Sequence, residues 1–404
     1  MGQLKRLKIG NIKLVLDTLR KNNHCSKKYI SSITGLSSTL LTNICNELKL
    51  KSLITEGDFV NSEKPGRREV QMDLNYQFKK VIGINISNTY CEIVISDLKP
   101  NLLFQTKFST NLHKNELFLK KILDTLYEYL NSNKLTWNDF IGIGITSKGT
   151  IDSLKGVVGF DFFDEELPIK EYLGKNTNLP IFIENDVKAL SLTQNFFYPE
   201  YNDFFLVKYS IHGIGGAIFK DGHLYVNQDN IVGKIGHIIM DPTQDYCPIC
   251  KRRGCLESII SITQITNCIK ELFYANKLPI LKKILKNDFS NFNIPSLFEA
   301  SDCGSIEINK ILQKSASLMA QALINTYVIV GSNKIILYGD FFTYSRYMFL
   351  LESYIKKYQL TNFWDKISLS SLNNTQESLA SCVLVINNIF NIHFEEYYNS
   401  FILS

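Results

Sequence analysis

The chain places one histidine and three cysteines, His237, Cys247, Cys250 and Cys255, within 19 residues, and this spacing constrains its fold more than any other feature. Soft and borderline ligands separated by nine, two and four residues can close a tetrahedral shell of one imidazole and three thiolates. Such a shell leaves no open position, so the expected ion is a structural zinc. It would pin the loop and hold the His237 ring in one orientation. The other six of the nine cysteines are scattered, as small buried hydrophobes are. No apolar run reaches the ~18 residues of a spanning helix. The N-terminus, Met1 to Arg6, is basic but lacks the apolar segment of a signal peptide. A cytoplasmic protein with no membrane partner is expected, and a reducing compartment favours metal over disulfides for the clustered thiols.

Charge is unevenly placed. Residues 1–80 carry 15 Lys+Arg against 7 Asp+Glu, whereas the remaining 324 carry 29 against 32. A basic block on a near-neutral body suggests an anionic partner at that end. Pattern sharpens the suggestion. Ile9, Ile12, Leu16 and Leu19 recur at the spacing of one helix face. Ser26 can cap a second helix over 27–34, which Gly35 ends. Ser37 can cap a third, with Leu41, Ile44 and Leu48 as its buried stripe and Ser38, Thr39, Thr42, Asn43 and Asn46 opposite. Two short strands fit residues 53–60 and 67–74 around a turn at Pro65-Gly66. Helix, helix-turn-helix and a two-stranded wing over residues 1–75 describe a winged helix-turn-helix. Its second motif helix enters the major groove, so Ser38, Thr39, Thr42 and Asn43 are the candidates to meet base edges. Arg67 and Arg68 at the wing tip are candidates for the backbone or minor groove.

From residue 80 the period changes. Strands are expected over 80–86, 90–96, 102–109, 140–145, 180–183, 204–209, 214–219 and 334–338. Helices are expected over 114–130, from Asp186, near 304–330 and 343–358, and finally near 376–390. Alternation on this scale argues for an α/β body over residues 76–404.

Within that body, Gly233-Lys234-Ile235-Gly236-His237 followed by Cys247-Pro248-Ile249-Cys250-Lys251-Arg252-Arg253-Gly254-Cys255-Leu256-Glu257 resembles the signature of the ROK family of repressors, open reading frames and sugar kinases. The family usually has one residue between its first two cysteines; here there are two. The resemblance spans nearly the whole chain and implies a two-lobed, actin-like, ribonuclease-H-like sugar-kinase fold behind the DNA-binding head. It also implies roles. Glu184-Asn185-Asp186 resembles the family's Glu-Asn-Asp, whose Asn and Asp hold sugar hydroxyls and whose Asp is the base in kinases. Asp186 opening a helix is equally compatible with a plain N-cap. His237 and Glu257 match sugar-facing residues, and Gly149 lies where the family turns close to its ligand.

Departures from the family pattern shape the functional expectation. Kinases open this domain with Asp-x-Gly-x-Thr; here the stretch is Asn85-Ile86-Ser87-Asn88-Thr89. The later glycine-rich stretch reads Ile211-His212-Gly213-Ile214-Gly215-Gly216-Ala217, and a Gly-Gly of the nucleotide pocket reads Gly339-Asp340. Phosphoryl transfer depends on positioning and neutralising phosphates, so these changes argue against an enzyme. Lys234 stands where the family mostly has Glu and suggests an acidic or phosphorylated sugar, or a side chain pointing elsewhere. The expectation is a sugar-responsive transcriptional repressor of carbohydrate-utilisation genes, acting as a homodimer or dimer of dimers on operator DNA. The alternatives are an ATP-dependent sugar kinase with a DNA-binding head, and a repressor governed by a protein partner.

Overall fold

The computed structural model describes residues 3–22, 24–59, 70–110, 115–148, 150–152, 155–159, 166–227, 231–358 and 362–403. It divides into two compact units. Met1–Ala189 and Asn374–Ser404 form the first, and Leu190–Asn373 the second.

The first unit begins with α1 (Gln3–Lys21), β1 (Cys25–Ser26), α2 (Lys27–Thr34), α3 (Ser38–Leu50), β2 (Ile54–Phe59) and β3 (Val70–Leu74). The caps sit where the sequence places them. Ser26 Oγ accepts from the Tyr29 N–H, Gly35 ends α2 at φ 70°, and Ser37 Oγ accepts from the Leu40 N–H. Ile9, Ile12, Val15, Leu16 and Leu19 of α1 are buried, as are Leu41, Ile44, Cys45 and Leu48 of α3. Each such side chain contributes about 1.5–3 kcal/mol over exposure, enough to hold three short helices together. Two details differ from expectation. α1 begins at Gln3, ahead of the Ile9 that opens its buried stripe, because the apolar residues of its first turns, Leu4 and Leu7, are exposed. β3 pairs antiparallel with β2 and also with β1, whose two residues are too short to show a period.

The same unit continues with β4 (Lys80–Ile86), β5 (Tyr90–Ser96), β6 (Leu102–Ser109), α4 (Asn115–Asn133), β7 (Phe140–Ser147), the hairpin β8 (Thr150–Asp152) and β9 (Val157–Gly159), α5 (Ile169–Thr177), β10 (Ile181–Asn185) and the first turn of α6 (Asp186–Phe197), whose residues from Leu190 belong to the second. Its sheet runs β10-β7-β4-β5-β6, antiparallel across β4-β5-β6 and parallel across β4-β7-β10.

The second unit carries β11 (Phe204–Ser210), β12 (Gly213–Lys220), β13 (His223–Leu224), α7 (Leu256–Ile260), α8 (Ile262–Tyr274), α9 (Pro279–Ile284), α10 (Ile294–Asp302), α11 (Ile306–Val330), β14 (Lys334–Tyr338), α12 (Ser345–Lys357) and β15 (Ile367–Leu369). Its sheet, β13-β12-β11-β14-β15, repeats the pattern of the first: an antiparallel meander, then two parallel strands. Two sheets of one topology make a mixed α/β body. Among the described residues, no helix is long and apolar enough to cross a membrane.

The final helix expected near 376–390 is not continuous. The chain forms α13 (Asn374–Ser378), α14 (Ala380–Asn387), a π-turn at Asn388–Ile392 and then α15 (Phe394–Leu403). An apolar run shows that a segment is buried, but not where its hydrogen-bond ladder shifts. α14 lies directly on the first sheet: a Cβ at Gly144 would stand 1.9 Å from the Ser381 carbonyl oxygen. Only glycine in β7 lets the helix backbone come so close.

Candidate functional site

The second unit gathers the four candidate ligands. His237 closes a 3-10 turn at Ile235–His237, and Cys255 directly precedes α7. The ligand atoms of His237, Cys247, Cys250 and Cys255 all lie within 4.8 Å of one another. Cys247 Sγ is 3.7 Å from His237 Nδ1, and Cys250 Sγ is 3.3 Å from Cys255 Sγ. A tetrahedral shell with Zn–S bonds of about 2.3 Å spaces its ligand atoms roughly 3.7 Å apart, so the cluster needs little adjustment to fit such an ion. Cys247 and Cys255 are fully buried. Burial raises the Cys250 thiol, but hydrogen bonds from Arg252 and the neighbouring thiols outweigh it and bring the group down to about 7. Burial, then the charges of Lys234 and Arg252, hold the His237 imidazole below its usual pKa. Burial and then the neighbouring Cys250 push the Cys255 thiol up to about 12, so a metal, which binds a neutral imidazole and ionised thiols, would have to displace its proton.

Glu257 follows the cluster in the first turn of α7. Its carboxylate lodges between two glycines: a Cβ at Gly213 would stand 2.4 Å from Oε1, and one at Gly236 2.8 Å from Oε2. Gly213 therefore keeps φ 120° and an empty side to make room for this carboxylate. Burial pushes the Glu257 carboxyl up to about 7, against the pull of the Ile214 backbone N–H. Because Nδ1 of His237 faces Cys247, Nε2 lies on the far side of the ring. Lys234 is exposed to solvent, and its charge reaches the imidazole.

Asn185 and Asp186 belong to the first unit, where β10 passes into α6. Asn185 Oδ1 accepts from the Val187 N–H at 3.0 Å. The capping role thus falls to Asn185, and Asp186 is the first helical residue rather than the cap. Asn185 keeps its two amide donors. Glu184 Oε1 takes the Asn185 N–H at 2.8 Å and faces buried Lys188 at 3.8 Å. Burial raises the Glu184 carboxyl and the Lys188 charge opposes the rise. This pair escaped the sequence reading because Glu184 lies in β10 while Lys188 lies in α6, so no period of a single element joins them.

Asn85 is fully occupied. Its Nδ2 donates to Glu92 Oε2 at 3.0 Å and to the Ser378 carbonyl at 2.7 Å, and its Oδ1 accepts from Thr146 Oγ1 at 2.7 Å. Ser87 closes its own turn, donating to the Tyr90 carbonyl at 2.9 Å and accepting from the Tyr90 N–H at 3.1 Å. An aspartate at 85 would set a carboxylate against buried Glu92 and a carbonyl. Asn85→Asp is therefore expected to lose about 2–4 kcal/mol of stability, read as a lower urea midpoint, and to gain no phosphotransfer. An unchanged midpoint would show that the amide is dispensable.

On the head, Ser38, Thr39, Thr42, Asn43 and Asn46 are exposed along α3, opposite its buried stripe. Arg67, Arg68 and Gly149 lie outside the described residues. The C-terminus also reaches this head, which the sequence did not suggest. The Asn391 carbonyl accepts from Lys13 Nζ at 2.7 Å, Asn391 Oδ1 from Arg20 Nη2 at 2.6 Å, and Glu47 Oε1 of α3 from the Tyr398 hydroxyl at 3.3 Å.

Residues 81–386 match the ROK family. The chain is 25% identical to the xylose repressor of Caldicellulosiruptor bescii, across 98% of this chain and 100% of that protein. A solved ROK family transcriptional regulator, described as a homologue of the Escherichia coli MLC protein, superimposes with a TM-score of 0.79. It is 21% identical and covers 95% of this chain and 97% of its own. The ROK hexokinase of Thermus thermophilus superimposes with a TM-score of 0.62 at 18% identity, over 76% of this chain and 97% of its own. With three quarters of its length inside the family match and two sheets of repeated topology, the chain belongs to the ROK family.

Proposed function

We propose that this protein is a sugar-responsive transcriptional repressor of carbohydrate-utilisation genes. Residues 1–75 act as a winged helix-turn-helix, and residues 76–404 as the sugar-binding body. The observation that carries the reading is the exposed polar stripe of α3, set on a three-helix head whose opposite face is buried. Ser38, Thr39, Thr42 and Asn43 meet base edges, and Arg67 and Arg68 grip the backbone or minor groove. The sugar is held by Gly149, Asn185, Asp186, His237 and Glu257. Zinc held by His237, Cys247, Cys250 and Cys255 is structural: it fixes the loop that aims His237 and Glu257, and takes no part in a reaction. The polar atoms of Asn85 and Ser87 are spent within the protein, which supports a non-catalytic body.

The protein acts in the cytoplasm as a homodimer or dimer of dimers on a palindromic operator, whose half-sites match the symmetry of paired heads. The relative from Caldicellulosiruptor bescii is a xylose repressor, so xylose heads the sugars to be tried. To swing the repressor from 1:99 to 99:1 between its two states, the sugar must bind one of them about 10⁴-fold better. A gel-shift titration on DNA from the protein's own promoter region tests the reading. Release is expected with one sugar of a panel of pentoses, hexoses and their phosphates. Retention of the DNA at every concentration of every sugar would remove the induction claim.

A further inference from the structure

The chemistry of the α3 surface says which bases it reads, and this inference rests on the DNA-binding reading just given. Thr39, Asn43 and Asn46 follow at i, i+4 and i+7, the spacing of one outward stripe. Among the described residues, the Asn43 and Asn46 amides have no hydrogen-bond partner. Each is exposed and keeps both its carbonyl oxygen and its NH₂ group available. Thr42 lies beside the stripe, and its hydroxyl donates to the Ser38 carbonyl at 2.8 Å. With that proton committed, Thr42 offers a partner one acceptor and a methyl group. Ser37 is spent as the cap.

The groups that read guanine are missing from this surface. Guanine presents two acceptors in the major groove and is read by the paired donors of Arg, or by Lys. α3 contains no arginine. Lys49 is bonded to Glu56 of β2, and Lys51, just past the helix end, to Glu47 at 3.3 Å. Cytosine presents a donor read by a carboxylate. The one carboxylate of α3, Glu47, is held by Lys8 at 2.8 Å and by the Tyr398 hydroxyl. What remains suits the other base pair. A side-chain amide bonds adenine N6 and N7 together, and a threonine methyl packs on the thymine methyl.

We infer that α3 reads a run of A·T pairs in each half-site. Asn43 and Asn46 each pair with an adenine edge, and the methyl groups of Thr39 and Thr42 lie against thymine methyls. Asn46 is thereby a specificity-determining residue alongside Asn43.

Selection of sites by the full-length protein from a pool of randomised duplexes, followed by anisotropy titrations, tests the inference. Enriched half-sites are expected to carry A·T pairs where the helix lies. Asn43→Ala and Asn46→Ala should each weaken the selected site roughly ten- to a hundredfold, while affinity for unrelated DNA at the same salt stays level. Replacing the contacted adenines by 7-deazaadenine should weaken the wild type similarly and leave the matching variant unaffected. Both side chains are exposed and partnerless, so neither variant threatens the fold. Enrichment of G·C pairs at those positions, or full affinity of both alanine variants, would overturn this inference and leave DNA binding intact. Failure of the protein to bind or enrich any duplex would overturn the DNA-binding reading and this inference with it.

Discussion

Cys255→Ser is expected to yield protein with far less than one zinc per chain and a melting temperature lower by about 10–20 °C. Cys255 is fully buried, and its sulfur stands 3.3 Å from that of Cys250. A serine oxygen there is shorter and harder, and does not ionise near neutral pH, so the thiolate shell cannot close. The loss should exceed that of an ordinary surface substitution, because the loop is joined to core. Ile235 precedes His237, and Leu256 and Ile260 follow Cys255, and all three are buried in the main hydrophobic cluster of the second unit. Freeing the loop exposes part of that cluster, and several kcal/mol of stability go with it. Metal analysis beside a thermal melt measures both effects. Wild-type protein purified without metal, with thiols alkylated at the rate of free cysteine in the native state, would remove the structural ion. An unchanged melting temperature in the variant would show that the ion is not what orders the loop.

Asp186→Ala should abolish the sugar response and leave operator affinity as it was. A carboxylate holding two sugar hydroxyls contributes two charge-assisted bonds at about 1.5–3 kcal/mol each, so sugar affinity should fall roughly 10²- to 10³-fold. The helix does not rely on Asp186 for its cap, since Asn185 takes the Val187 N–H. Calorimetric titration with the responsive sugar, paired with a gel shift at saturating sugar, separates the two properties. The variant should remain on DNA where the wild type leaves it. Undiminished sugar affinity would place the sugar elsewhere.

Much of the head was legible because its signals are local. Ser26, Gly35 and Ser37 sit within four residues of the groups they cap, and the buried stripes of α1 and α3 repeat every three or four positions. Strands β4, β5, β6 and β14 were bounded correctly because β-branched and aromatic residues cluster in them and turn residues flank them. The four candidate ligands were legible for the same reason: they fall within one loop.

The long-range contacts were not. Asn85 reads as a lost carboxylate, but its bonds to Glu92, Thr146 and Ser378 depend on which strands become neighbours and on where the last helices return. Gly213 reads as a remnant of a phosphate loop, whereas the structure shows it making room for Glu257, 44 residues further on. The C-terminal helix reads as one run, although the π-turn places Asn391 against Lys13 and Arg20, more than 370 residues earlier.

The amino-acid order alone determined the character of each segment: which helices cap, which strands are buried, and which loop can hold a metal. Those properties depend on side chains a few residues apart. The folded chain decided which of the remaining polar groups are spent and which stay free, as with the occupied amide of Asn85 and the open ones of Asn43 and Asn46. Partners for such groups come from distant segments, and only the closing of the sheets and the return of the C-terminus bring them within hydrogen-bond reach.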